Sequence, residues 1–161
     1  MRRHLSTLTV LAAAALLAGC ATTPASVDLD EARAWLATVE AAQSDGPGAA
    51  GSASLLAGGP STADPDGAGQ DDGIRLDFDN PTPLKHADAA CFGGGQVDLT
   101  VTVEYTGGTS TETFGTEVPC DEEVHEIELS PDAADAATVS AIGTPETYVH
   151  VVLIQEMTVQ E

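Results

Sequence analysis

Residues 97–105 read VDLTVTVEY, and this alternation constrains the fold more than any other stretch of the chain. Val97, Leu99, Val101, Val103 and Tyr105 fall on one side of an extended chain, and Asp98, Thr100, Thr102 and Glu104 on the other. A period of two is that of a strand with one buried and one wet face; on a helix the same apolar residues would scatter around the axis.

The period recurs. Ile74, Leu76 and Phe78 alternate with Arg75, Asp77 and Asp79. Gly107-Gly108 marks a turn, after which residues 111–118 carry Phe114 and Val118 inward. His125, Ile127 and Leu129 alternate with Glu126 and Glu128, Val139 and Ala141 mark a weaker strand beyond Pro131, and TYVHVVLIQEMTV, residues 147–159, is a long last strand, continuously apolar from Val151 to Ile154. Six strands at short spacing with no long helix between them predict an all-β domain over residues 73–161, a small immunoglobulin-like β-sandwich. No tryptophan lies between Cys91 and Cys120, so the core signature of true immunoglobulin domains is absent.

Two segments precede that domain. Residues 27–43 predict a helix with Asp28 at its cap and Glu31 three places on. Leu29, Ala32, Leu36 and Val39 share one face with Trp35 at its edge, and Gly46-Pro47 ends the run. Residues 44–72, rich in Gly, Pro and Asp, are expected to be a disordered linker, so that proteolysis would leave a piece beginning near Gly73.

The first nineteen residues are of another kind. Arg2 and Arg3 precede an apolar run that is too short to span a bilayer and ends in Ala18-Gly19, the layout of a secretory signal. Leu17-Ala18-Gly19-Cys20 resembles the lipobox of bacterial lipoproteins. The resemblance implies cleavage before Cys20, a diacylglycerol on its sulfur, and an extracytoplasmic protein tethered to the membrane by lipid, since two acyl chains hold a protein stably where one does not. Together with CFGGGQVDLTVTV and VPCDEEVHEIEL (residues 91–103 and 118–129), it makes the chain similar to small surface lipoproteins of high-GC Gram-positive bacteria.

Export leaves Cys91 and Cys120 as an even pair, the pattern of a disulfide in an oxidising compartment. A hairpin centred near Gly108-Thr109 would set residue 97 against residue 120, and Cys91 would overshoot its partner by about 20 Å of extended chain. Either CFGGGQ curls back through its glycines or the cysteines lie in different sheets.

Charge excludes one class of partner. The chain has 5 basic and 26 acidic residues; without residues 1–19 it loses Arg2 and Arg3, which leaves 3 against 26 and a net charge near −23. Nucleic acid requires clustered Lys and Arg, so it is not an expected partner.

Catalytic and metal chemistry are sparse in the sequence. His125 and His150, both in phase with apolar neighbours, are weak candidates for a shared zinc or copper ion. Asp64, Asp66 and Asp72 are spaced like ligands of a calcium loop, but Arg75 stands where a bidentate glutamate is required. No serine has the glycine frame of a hydrolase elbow, and aromatic platforms for sugars are few. The expected protein is a monomeric, non-enzymatic binding module without a cofactor, its partner a protein or envelope component. Its recognition loops are expected at residues 80–90, 106–111 and 131–136, the first holding Lys85 and His86.

Replacing Cys20 by serine should release the protein into the medium or leave its signal uncleaved; mass spectrometry of the mature N-terminus checks this, and an unmodified cysteine there refutes the tether.

Overall fold

The computed structural model describes residues 28–57, 73–93, 95–108, 110–130, 132–143 and 147–157. Among them, one helix and seven strands follow in the order α1 (Leu29–Gln43), β1 (Ala49–Ala57), β2 (Ile74–Phe92), β3 (Gln96–Tyr105), β4 (Thr111–Pro119), β5 (Val124–Glu128), β6 (Ala133–Gly143) and β7 (Thr147–Gln155). Every pairing is antiparallel. The first layer runs β1–β7–β2–β5, and the second runs β2–β6–β3–β4. The expected disulfide-clasped β-sandwich is the architecture of the chain.

β2 belongs to both layers. Residues 74–83 pair with β6, and residues 84–92 pair with β7. Pro81 and Pro83, which have no N–H to give a ladder, stand at the end of the first half, and the pairing slips between Asp77 and Thr82 and again between Leu84 and His86. A strand that changes sheets needs such a place. The same prolines make residues 80–90 look like a recognition loop in sequence; the structure corrects this, because the segment lies within β2. The third expected loop, at residues 131–136, is likewise taken up from Ala133 onward by β6, whereas residues 106–108 do form a turn between β3 and β4.

The core lies between the layers. Val97, Leu99, Val101 and Val103 of β3 point into it as their alternation requires, with Val118, Val139, Val149, Val151 and Leu153. Small residues fill the space among them: Ala53, Ala57, Ala87 and Ala89 from the first layer and Ala134, Ala137 and Ala141 from the second. Ile74, although in phase with Leu76 and Phe78, is exposed.

The disulfide joins the two layers. Cys91 lies near the end of β2 in the first layer and Cys120 just past β4 in the second, with Cα atoms 4.3 Å apart. Both sequence alternatives therefore operate together. Gly93 and Gly95 take positive φ angles of 130° and 87°, which only glycine adopts freely, and turn the chain from one layer to the other. The Cys120 N–H then donates to the Gly95 carbonyl and the Glu122 N–H to that of Cys91. The β3–β4 register places Val97 opposite Val118, two residues from the expected partner but on the same face.

The expected linker at residues 44–72 is corrected in its first part. Ala49–Ala57 is a strand, paired along its length with β7. Its sequence, AAGSASLLA, has little intrinsic strand preference, and the partner strand supplies the order. Residues 58–72, with Asp64, Asp66 and Asp72, lie outside the described residues, as does Cys20.

The helix begins where its cap predicts. Asp28 Oδ1 accepts from the N–H groups of Asp30 and Glu31, at 2.9 and 3.4 Å. It docks on the outer face of the first layer: Ala32 is fully buried, and the Trp35 ring centroid lies 5.5 Å from that of Phe92.

The Cys91–Cys120 bond closes a span of 29 residues. Replacing both cysteines by alanine should lower stability by about 3–4 kcal/mol, the loop-closure entropy returned to the unfolded chain, as measured by urea denaturation.

Candidate functional site

β-Pairing sorts the polar side chains of the first layer onto its two faces. On the outer face, His150 stands opposite Ser54 of β1 and Ala90 of β2, and Asp88 stands between Val152 of β7 and Glu126 of β5. His86 is next along β2, opposite Glu128. His125 pairs with Ala89, whose side chain belongs to the core, so it has the opposite phase. The expectation that His125 and His150 share a metal therefore fails: the sheet stands between them. Their matching apolar phases in sequence have different causes. His125 looks inward at a sheet edge, and His150 looks outward beneath a helix.

His150 is fully buried under α1. Its Nδ1 lies 2.9 Å from Ser54 Oγ, and its Nε2 lies 3.3 Å from Ser44 Oγ at the end of α1. The Ser54 hydroxyl gives its proton to Glu40 Oε1 at 2.7 Å. With that proton committed, Ser54 Oγ accepts from Nδ1–H, and the bare Nε2 accepts from the Ser44 hydroxyl. A neutral imidazole is thus satisfied at both nitrogens and links helix, β1 and β7. Burial pushes the His150 pKa down, opposed by the Glu40 charge.

A serine donating to a histidine resembles a nucleophile with its base, yet the surroundings oppose acyl transfer. Ser44 sits at the C-terminal end of α1, where carbonyl dipoles would disfavour a developing oxyanion. Its own N–H donates to the Glu40 carbonyl, and the Gly46 N–H to that of Gln43. The network is a clamp for the helix.

Three side chains converge at the other end of the outer face. His86 Nε2 lies 3.4 Å from Asp88 Oδ1 and 3.8 Å from Glu126 Oε2. All three donor atoms lie within 4.8 Å of one another, and this is the one such group of His, Cys, Asp and Glu among the described residues. His86 is mostly buried, Asp88 less so, and Glu126 half-exposed. Burial pushes the Asp88 carboxyl up, with Glu126 adding to this and His86 opposing it. A pocket of about 220 Å³ opens beside the group, lined by Lys85, His86, Glu126, Glu128, Leu129 and Glu156. His125 differs: its Nε2 makes a direct 2.9 Å contact with Asp121, whose carboxyl is held below the usual range chiefly by that hydrogen bond.

Among the described residues, no element packs on the outer face of the second layer. Thr102 stands opposite Thr138 and Thr113, and Thr100 opposite Ser140 and Gly115. Arg75 of β2 reaches across β6 to pair with both oxygens of Glu104 on β3, and its Nε donates to Asp77 at 2.9 Å. The pair holds Glu104 below the ordinary carboxylate range. The result is a face of hydroxyl groups with charge along one side.

Sequence reasoning noticed His86 as a basic spot beside Lys85. It missed Asp88 and Glu126 as its neighbours, because their meeting depends on the β2–β5 register. Comparison with protein-family models, with curated proteins and with solved structures finds no match to the chain.

A histidine whose folded pKa lies below its ordinary value of 6.5 makes the native state bind fewer protons than the unfolded one. Its stability contribution is complete above pH 6.5 and is lost as pH falls below it. Urea denaturation at stepped pH should show this loss between pH 7.5 and 5.5, above the range where carboxylates titrate, and His150→Gln should flatten the slope in that window.

Proposed function

We propose that the protein is a lipid-anchored, extracytoplasmic binding module, non-enzymatic, that holds a protein or envelope component close to the membrane surface. What carries this reading is the docking of α1 on the first layer, joined to the lipobox resemblance at Cys20. With α1 and β1 part of the folded body, the chain from Cys20 to the cap at Asp28, eight residue steps, and not residues 44–72, sets the greatest distance between lipid and fold. Eight residues reach at most about 29 Å when fully extended. The docked helix follows the tether directly, so the open hydroxyl face of the second layer lies on the side of the sandwich away from it. Hydroxyl groups on an ordered sheet donate and accept hydrogen bonds without large rearrangement, which suits a polar envelope surface or a partner's extended backbone.

The face is tested with a non-acylated chain beginning at residue 21 and isolated cell envelopes, and the anchor by fractionating the cells that make the native protein. Thr100→Arg with Thr113→Arg, both on this face, not directly opposed and not opposite Arg75, should weaken co-sedimentation with the envelope several-fold while leaving the thermal melt unchanged. Equal retention of the variant would remove this face as the binding surface. Recovery of the native chain in the soluble fraction would remove the anchor.

A further inference from the structure

We infer that His86, Asp88 and Glu126 form a binding site for a first-row divalent metal ion, with zinc the best fit. The inference rests on the β2–β5 register and on neither the lipid anchor nor the hydroxyl face.

Geometry is the first argument. In a tetrahedral zinc site with ligands at about 2.0–2.1 Å, neighbouring donor atoms are separated by about 3.3 Å. The imidazole nitrogen lies 3.4 and 3.8 Å from the two carboxylate oxygens, which are themselves within 4.8 Å of each other, so side-chain rotations bring all three toward that spacing. The same distances are longer than the roughly 2.7–2.9 Å of a closed charge-assisted imidazole–carboxylate hydrogen bond. The 2.9 Å contact of His125 with Asp121 shows what a committed imidazole–carboxylate pair looks like on this chain. His86 faces two carboxylates at once and closes on neither.

Charge is the second argument. Asp88 and Glu126 are directly opposed on paired strands, where like charges destabilise a sheet. Glu128 and Glu156 line the adjoining pocket and increase the negative potential, against the single opposing charge of Lys85. A divalent ion with two carboxylates and a neutral imidazole makes a neutral set, and the open side toward the pocket leaves room for water to complete its coordination. One nitrogen with two oxygens is a borderline donor set. It favours zinc and its transition-metal neighbours over calcium, which prefers six to eight oxygens.

The experiment titrates the mature chain, stripped of metal with chelator and dialysed, with zinc chloride by calorimetry near neutral pH. The expected result is saturable binding of one zinc ion per chain that excess calcium does not displace. His86→Ala and Glu126→Gln should each weaken it at least tenfold, while His125→Ala leaves it unchanged. Glu126 is half-exposed, so its variant reports on binding even if His86→Ala disturbs the fold. Cobalt(II) should give visible ligand-field bands with the native chain and lose them with His86→Ala. No saturable zinc binding would overturn the inference. So would binding that survives both His86→Ala and Glu126→Gln, because a diffuse acidic surface would then be holding the ion.

Discussion

The two layers share β2, and everything else in the molecule is positioned by that sharing. Its first half gives β6 a partner, and its second half gives partners to β7 and β5. Sandwiches ordinarily depend on side-chain packing alone to align their sheets. Here a continuous backbone passes from one sheet to the other, and its proline-marked crossing fixes where each begins. The disulfide ties the far end of the same strand to the end of β4, so the layers are joined covalently at one corner and by backbone at another. Between these joints the buried core is built from alanine, valine and leucine, with Phe78, Tyr105 and Phe114 packed at its margin.

That arrangement also explains which polar groups can meet. The His86–Asp88–Glu126 group exists because β5, five residues long, pairs with β2 at one register. A shift by one residue would send Glu126 to the core face and bring His125 outward. His150 and the helix clamp depend in the same way on β1 pairing with β7. Both groups lie on the outer face of the first layer. One is sealed under α1, and the other is open beside a pocket. The difference between a structural histidine and a candidate ligand thus follows from how far one helix extends across a sheet.

The alternating stretches were readable because their signal is local: VDLTVTVEY carries its two faces in its own letters, and Asp28 announces the start of α1. The cysteine pair followed from its parity. What could not be read depended on partners distant in sequence. AAGSASLLA has the composition of a spacer and becomes β1 only against β7. Residues 80–90 carry the prolines of a loop and are held in β2 by neighbours on both sides. The sequence placed His125 and His150 together because phase along a strand does not say which side of the sheet faces a helix. Asp88 and Glu126, two among 26 acidic residues, had nothing in their local setting to distinguish them.

The pairing of β1 with β7 has a consequence for the order of events in folding. Ala49 meets Ile154, so an element near the start of the described chain waits for the final strand before it has anything to bind. Contacts of such long range are made late and slowly. A chain that emerges N-terminus first would present α1 and β1 early, without their sheet. Cys91 and Cys120 also become available before β7 does. The covalent clasp is therefore free to form while the first layer is still open, and the closing of the helix over His150 would be the last step rather than the first.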